Sequence, residues 1–402
     1  MSRIAGIVNL DGAPIDRDLL LRMTEAVGQT PLTPESGVCL IADHGFDEDE
    51  RILQAYERWG EACVEHLIGD FAFAIWDKRT QRLFCARDHF GVKPFFFARA
   101  GNSLIFSNTL NVLRVDPRVS DELNETAVGD YLAFGANQEL STTIFRDIQR
   151  LPAAHTLSVS NGSLSMRRYW APAVRDEIRF RDKQSYVDRF NELLTTAVKD
   201  RVRTNRVSIS MSGGLDSTSL AVIARDLLPV HAYSNVYDKL IPDEERHYST
   251  LAASSIGIPI HHNDADKYGL FEGELNQPEP FLISPLGGQF RDLLRLMSAN
   301  APVALTGYDG DALMNEPRSV RPFWTRIRRI KEKPISYPAW IDETFAKRIG
   351  LPERINERAQ IVDKRRPATL RALQSKLWTP LLEGYDPNVT HLPLEVRHPF
   401  LD

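Results

Sequence analysis

The sequence predicts an α/β protein in which a layered, largely antiparallel β domain precedes a domain built on a doubly wound parallel sheet. Two observations lead to this prediction. Short apolar segments within residues 67–107 are separated by turn residues, which is typical of antiparallel strands. After residue 206, strand-like and helix-like segments alternate with short links, which indicates parallel strands joined by crossover helices.

The composition is that of a soluble globular protein. The chain has 402 residues, 43% of them hydrophobic, which is enough for two or three domains. A net charge of -5 gives no general attraction to nucleic acid or to an anionic membrane. The sequence has no run of eighteen apolar residues and no signal peptide. Its three cysteines, Cys39, Cys63 and Cys85, do not have the spacing of a zinc site or of a disulfide framework. We therefore expect a cytoplasmic protein without nucleic-acid or membrane partners.

The first domain is expected to cover residues 1–173. Residues 50–59 are predicted to be a helix because Ile52, Leu53 and Tyr56 share one face. The predicted strands cover residues 2–9, 67–77, 82–86, 95–98 and 104–107. The charged segment 174–182 marks the boundary, so the second domain is expected to cover residues 183–402.

The second domain is expected to alternate strands and helices. A helix over residues 184–203 is predicted from one apolar stripe, made of Tyr186, Phe190, Leu193, Leu194, Ala197 and Val198. The predicted strands cover residues 207–211, 229–236, 259–262 and 302–306, and the later helices 243–255 and 289–300. Because ligands bind beyond the carboxyl ends of parallel strands, the loops after residues 211, 235 and 306 are the candidate site.

The loop at residues 212–217, Ser-Gly-Gly-Leu-Asp-Ser, connects a buried strand to a helix. A helix N-terminus offers unpaired N–H groups and a positive dipole end, which favour a phosphate. Asp216 would repel that phosphate unless a cation bridged the two groups, so the loop predicts a magnesium–pyrophosphate site. It is not a Walker A loop, because the Gly-Lys-Ser/Thr ending is missing.

The same loop resembles the pyrophosphate loop of the N-type ATP pyrophosphatases, which cleave ATP between its α and β phosphates. Three further segments resemble the asparagine synthetase family: GDFAFAIWD at residues 69–77, ARDHFGVKPFFF at residues 86–97 and LEVRHPFLD at residues 394–402. The resemblance implies an N-terminal αββα domain of the Ntn glutaminase type, followed by an ATP-pyrophosphatase synthetase domain. It also implies an AMP-forming, ATP-dependent amide ligase that uses magnesium.

Residue roles follow from the resemblance position by position. Residues 306–313, TGYDGDAL, match a family loop that reads Ser-Gly-Glu-Gly-Ala-Asp-Glu-Leu. Thr306 and Gly307 would then contact ATP, and Asp311 would bind magnesium beside Asp216. Ser212, Gly213, Gly214 and Ser217 would hold the pyrophosphate. The backbone at Met211 and Asn235 would hold adenine.

The first domain departs from the family pattern. The family begins Met-Cys-Gly, with cysteine as the nucleophile, whereas the second residue here is Ser2. Residues 28–49 are too few for the glutamine-binding segments of the family, and no Asn-Gly-Glu turn occurs. We expect a degenerate, inactive glutaminase-like domain, although a serine nucleophile with the N-terminal amine as base is chemically feasible.

Tyr308 stands where the family loop has a glutamate. A tyrosine there resembles the β-lactam synthetase branch, in which a Tyr–Glu dyad deprotonates an amine of the substrate. Asp342 or Glu343 could supply the carboxylate, and Glu343 is the candidate we take forward. The alternative is that Tyr308 only lines the pocket. The basic segment 317–333 is compatible with a solvated helix face or with an acidic substrate.

Three functions remain open at this point. The first is an asparagine synthase-type ligase for a small-molecule or peptide substrate with a carboxylate and an amine. The second is an intramolecular cyclase, as in the β-lactam and lasso-peptide cyclases, and the third is a nucleotide-binding protein without catalysis. The family continues beyond the position of Asp402 with a lysine that stabilises the acyl-adenylate step, so this chain is either a fragment or has lost that lysine. A homodimer is the oligomeric state to test.

Overall fold

The computed structural model describes residues 4–27, 38–44, 49–173, 178–241, 244–272, 278–280, 284–314, 337–358 and 367–402. Its strands form two antiparallel sheets and one parallel sheet. The strands are β1 Ala5–Asn9, β2 Val38–His44, β3 Phe71–Asp77, β4 Arg82–Arg87, β5 Phe96–Ala100, β6 Ser103–Ser107, β7 Ile148–Arg150, β8 His155–Ser160, β9 Ser163–Arg168, β10 Val207–Ser210, β11 Val230–Val236, β12 Ile260–Asp264, β13 Val303–Thr306 and β14 Glu395–Arg397.

The helices lie between these strands and after them. They are α1 Arg17–Ala26, α2 Asp49–Trp59, α3 Leu110–Leu113, α4 Glu125–Phe134, α5 Lys183–Arg201, α6 Leu215–Arg225, α7 Glu245–Ile256, α8 Gly287–Asn300, α9 Gly310–Met314, α10 Glu343–Arg348, α11 Leu351–Arg358, α12 Pro367–Leu373, α13 Trp378–Gly384 and α14 Pro387–Thr390. Within the described residues, none of them combines the length and the apolar character that a membrane crossing requires.

Residues 4–173 form four layers, as predicted. The sheets β1-β6-β5-β7 and β2-β3-β4-β8-β9 pack face to face. Side chains alternate along β3 with period two, so Ala72 and Ala74 lie between the sheets while Phe73 and Ile75 pack against α2. Helix α1 covers the outer face of the other sheet. The αββα prediction is therefore confirmed.

The described residues between 183 and 402 include the predicted doubly wound sheet. Its five parallel strands have the order β12-β11-β10-β13-β14. Helices α5, α6 and α7 pack on one face of the sheet, and α8 and α13 pack on the other. One detail of the prediction was wrong: Tyr186 and Leu193 are exposed. Tyr186 lies in the N-terminal half of α5, which buries no side chain, and Leu193 lies beside the buried stripe of Leu194, Ala197 and Val198.

Buried ion pairs join the two halves of the chain. The Glu383 carboxylate accepts hydrogen bonds from Arg87 at 2.9 Å and from Arg150 at 2.8 Å. A second pair links Asp70 of the first half to Arg397 of the second at 3.0 Å. These charges are almost fully buried, so each depends on its partner for stabilisation. The sequence analysis did not find them.

Candidate active site at the switch point of the parallel sheet

The candidate site lies where the strand order of the parallel sheet reverses. From β10 the chain adds β11 and β12 on one side, and then β13 on the other side. Strands β10 and β13 are direct neighbours, with Ser210 paired to Thr306. The loops that follow them therefore begin at the same height at the carboxyl edge, which is where open α/β sheets bind ligands.

The first loop turns tightly between β10 and α6. Gly213 has a φ of +77°, and a Cβ atom there would lie 2.6 Å from the Ser249 backbone nitrogen of α7. Glycine is therefore required both for the backbone conformation and for the close approach of α7. Gly214 is the N-cap of α6, and no side chain caps this helix in the described part of the chain. The first N–H groups of α6 thus remain available to an anion.

The second loop packs directly against the first. A Cβ atom on Gly307 would lie 2.8 Å from the Ser217 backbone nitrogen, and one on Gly310 would overlap the Asp216 carboxyl group. Glycine is needed at position 307 because the neighbouring atom belongs to the backbone, whereas the neighbour of Gly310 is the end of a side chain. The structure therefore brings Asp216 and Ser217 of the first loop together with residues 306–311 of the second.

The electrostatics of this contact suit a cation. Burial and then the charge of Asp311 raise the pKa of Asp216, although a backbone hydrogen bond from Asp311 opposes the shift. Two carboxylates that repel each other in this way are stabilised by a divalent ion with oxygen ligands. The donor set of Asp216 and Asp311 therefore fits Mg²⁺.

The predicted adenine-binding positions lie at the same edge. The Met211 N–H donates to the Tyr233 carbonyl at 2.9 Å, which continues the β10–β11 ladder past the end of β10. Asn235 lies near the end of β11, and its side-chain oxygen accepts a hydrogen bond from Asn263 at 2.8 Å. Both residues therefore border the site, and their contact with adenine stays a prediction.

The predicted pair of Tyr308 and Glu343 is not formed. Glu343 is on α10, where its side chain is 71% exposed and ion-paired with Lys347 one turn later. Tyr308 is half-buried instead against Trp378, and its hydroxyl lies 2.8 Å from that of Tyr385. Asp342 caps α10. Both candidate carboxylates therefore make their contacts on α10, and neither is shown to contact Tyr308. The predicted Tyr–Glu dyad is corrected to a pair of tyrosines, Tyr308 and Tyr385.

Three residues of the site were missed by the sequence analysis. His398 follows β14, and its Nδ1 atom lies 2.7 Å from the Thr306 hydroxyl oxygen. Burial lowers the pKa of His398 to about 4. Asp309 has a φ of +73°, and burial raises its pKa to about 6. Tyr385 is the third. A signal existed for Asp309, since it stands where the family loop has glycine.

Replacing Gly307 with alanine is expected to lower the rate of ATP–pyrophosphate exchange roughly 10- to 100-fold, because the added methyl group would lie 2.8 Å from the Ser217 backbone nitrogen and would push the two loops apart. The exchange rate of the purified variant measures the effect. Asp226→Ala is the control, since Asp226 follows the C-terminal end of α6 and its side chain is 72% exposed. Equal exchange rates in the two variants would contradict the assignment of the Ser217–Gly307 contact to the site.

The fold and the site define a class of two-domain α/β proteins of the amidotransferase–synthetase type. In this class a four-layer αββα domain is followed by a doubly wound sheet, and a glycine loop of that sheet bears a carboxylate. The family profile described as "Asparagine synthase" matches residues 189–402, and that described as "Glutamine amidotransferase domain" matches residues 45–170. The first match covers more than half of the 402 residues. The chain therefore belongs to the asparagine synthase family.

Curated relatives agree with this membership. "Asparagine synthetase [glutamine-hydrolyzing] 3" of Bacillus subtilis is 33% identical over 206 residues, which are 49% of this chain and 33% of that protein. "Asparagine synthetase [glutamine-hydrolyzing] 2" of the same organism is 28% identical, over 58% of this chain and 32% of that protein. "Amidase chyE" of Penicillium rubens is 27% identical, over 46% and 27%. The matched segments thus span about a third or less of these relatives.

Two features from the sequence analysis lie outside the described residues. These are Ser2 and the basic segment 317–333. Their predicted roles therefore stay predictions.

Proposed function

We propose that this protein is an ATP-dependent carbon–nitrogen ligase, which activates a carboxylate with ATP and joins it to an amine nitrogen. The observation that supports this proposal most directly is the contact between the loops of Asp216 and Asp311 at the switch point of the sheet. ATP is the proposed cosubstrate, and Mg²⁺ is the proposed cofactor.

In the first proposed step, a carboxylate oxygen of the substrate attacks the α phosphorus of ATP. The bond from that phosphorus to the bridging oxygen breaks, and pyrophosphate leaves with the electron pair. The N–H groups at the start of α6, together with the hydroxyls of Ser212 and Ser217, would donate hydrogen bonds to it. Mg²⁺ held by Asp216 and Asp311 would neutralise part of its charge.

In the second proposed step, the amine nitrogen attacks the activated acyl carbon. The carbon–nitrogen bond forms, the carbon–oxygen bond to AMP breaks, AMP leaves with the electron pair, and the nitrogen releases one proton to water. Burial raises the pKa of Tyr308, so this phenol stays neutral and is a hydrogen-bond donor, not a base. Tyr385 can donate its proton to the Tyr308 oxygen, which leaves the Tyr308 proton for the acyl oxygen of the substrate.

Tyr308→Phe is expected to slow amide formation roughly 10- to 100-fold relative to ATP–pyrophosphate exchange, because one donor to the developing oxyanion is lost. Tyr385→Phe is expected to act in the same direction with a smaller effect, since it acts through Tyr308. The ratio of the two rates, measured in parallel assays, tests this. A proportional loss of both steps would contradict the assignment of Tyr308 to the second step.

We propose that the first domain has no glutaminase activity, so that the nitrogen comes from an amine or from free ammonia. The support is Ser2 at the position of the family nucleophile and the short segment 28–49. On this proposal the first domain stabilises the second through the buried pairs of Glu383 and Asp70.

ATP–pyrophosphate exchange is the experiment that tests the function. It is run with Mg²⁺ and with aspartate, β-amino acids and candidate precursor peptides in turn. Exchange with aspartate supports an ammonia-using ligase. Exchange with one of the other amine-bearing acids or peptides but not with aspartate supports an intramolecular cyclase, the alternative favoured by Tyr308. No exchange with any substrate contradicts the ligase proposal and supports a nucleotide-binding protein without catalysis.

A further inference from the structure

Asp309 lies in a backbone conformation that glycine adopts freely and that other residues adopt at a cost. Its φ of +73° is in the left-handed region. Glycine occupies this position in the family loop and would avoid that cost. A strained residue beside a site is a reason to look for a function of its side chain.

One carboxylate oxygen of Asp309 is buried and lacks a described partner. The residue is 8% exposed, and its Oδ2 atom has no hydrogen-bond partner among the described residues. Two other buried acids differ: Glu383 is held by two arginines, and Asp88 accepts four backbone N–H groups. A buried, unpaired acceptor costs free energy that a ligand with a donor group would recover.

Its position limits what that ligand is. Asp309 follows Tyr308 directly and precedes Gly310, which contacts Asp216. Within the described residues, no three acidic, histidine or cysteine side chains are grouped closely enough to share a metal ion. Asp309 therefore does not join Asp216 and Asp311 around one cation, and a donor group of a bound substrate is the alternative partner for its carboxylate.

We propose that Asp309 binds the amino group of the acceptor substrate, and that this substrate is a primary amine that is cationic at neutral pH. This inference rests on the proposed ligase function. A carboxylate accepts hydrogen bonds from an ammonium group in a charge-assisted contact, which is the strong kind. Asp309 would thus be a specificity-determining residue that orients the nitrogen next to Tyr308, and the bound ammonium group would release one proton to water before its nitrogen attacks.

The test compares two nucleophiles, ethylamine and hydroxylamine, at pH 7.5, with whichever acid supports ATP–pyrophosphate exchange. Ethylamine is cationic at this pH, whereas hydroxylamine is neutral. In Asp309→Asn, the ratio of kcat/KM for ethylamine to that for hydroxylamine is expected to fall at least about tenfold, as for loss of one charged hydrogen bond. Asp226→Asn, an exposed acid at the far end of α6, is the matched control and should keep the parent ratio.

The outcomes separate this inference from the proposed function. An unchanged ratio in Asp309→Asn overturns the role of Asp309 while leaving the ligase function intact. Absence of any hydroxamate or exchange in the parent protein overturns the ligase function instead. Asparagine tolerates the left-handed conformation, so Asp309→Asn should fold, and Asp309→Gly is a second variant that also removes the backbone strain.

A binding measurement tests Asp309 without any turnover. The midpoint of thermal unfolding is measured in ethylammonium chloride and in sodium chloride at equal concentration. In the parent and in Asp226→Asn, the change from sodium chloride to ethylammonium chloride is expected to raise the unfolding midpoint. In Asp309→Asn and Asp309→Gly the same change of salt is expected to raise the midpoint less. Identical salt responses in all four proteins would overturn the proposed amine site.

Discussion

Asp216→Ala is expected to reduce ATP–pyrophosphate exchange at least about a thousandfold, which corresponds to roughly 4 kcal/mol of lost transition-state stabilisation. The carboxylate lies in contact with the second loop, and its pKa is already raised by burial and by the charge of Asp311. Removing it would leave one of the two proposed magnesium ligands and place a methyl group beside Gly310. Exchange at saturating substrate and Mg²⁺ measures the loss.

The control for this prediction is Asp226→Ala. Asp226 follows the C-terminal end of the same helix and is exposed, so its replacement removes one negative charge far from the loop. Its exchange rate should match that of the parent. Exchange in Asp216→Ala within tenfold of the parent would show that Asp216 is not a metal ligand in the adenylation step.

Glu383→Ala is expected to destabilise the protein by about 3–5 kcal/mol, because it leaves the buried guanidinium groups of Arg87 and Arg150 without this shared carboxylate. Arg150 keeps Glu279, whereas among the described residues Arg87 keeps only neutral carbonyl acceptors. Because Glu383 lies in the second half of the chain and both arginines in the first, the two halves should separate at lower urea concentration. Urea unfolding followed by tryptophan fluorescence and by circular dichroism measures this.

Two further variants make this prediction specific. Glu383→Gln keeps the shape and an acceptor oxygen, so its loss of stability should lie between those of the parent and Glu383→Ala. Glu343→Ala removes a glutamate whose ion pair with Lys347 is exposed, and its unfolding midpoint should not change measurably. Equal stability of Glu383→Ala and Glu343→Ala would refute the structural role of the buried network.

The periodic and glycine-rich parts of the chain were predictable. The alternation of Val207 and Ile209 with serines marks a buried strand, and a strand, a glycine loop and a helix in succession have one common arrangement. The position of the loop of residues 306–311 beside the first loop also follows from β13 being a parallel strand. These predictions succeeded because each depends on residues close together in the sequence.

The partner of Tyr308 was not predictable in this way. A carboxylate about thirty residues later was expected, whereas the hydroxyl that contacts Tyr308 is 77 residues away, on Tyr385. Its position depends on how α13 packs against the face of the parallel sheet opposite α6. The packing of α13 is set by many distant apolar contacts, and no local pattern reports it.

The sequence alone determined that the chain is an asparagine synthase-type α/β protein, with a glycine loop and two acidic residues at the carboxyl edge of a parallel sheet. Only the tertiary structure decided which charges are paired: Glu383 between Arg87 and Arg150, Asp70 with Arg397, and Asp309 with no described partner. The physical reason is that the spacing of apolar residues, which predicts strands and helices, is a local property of the chain. Compensation of a buried charge depends instead on side chains that folding brings from distant segments.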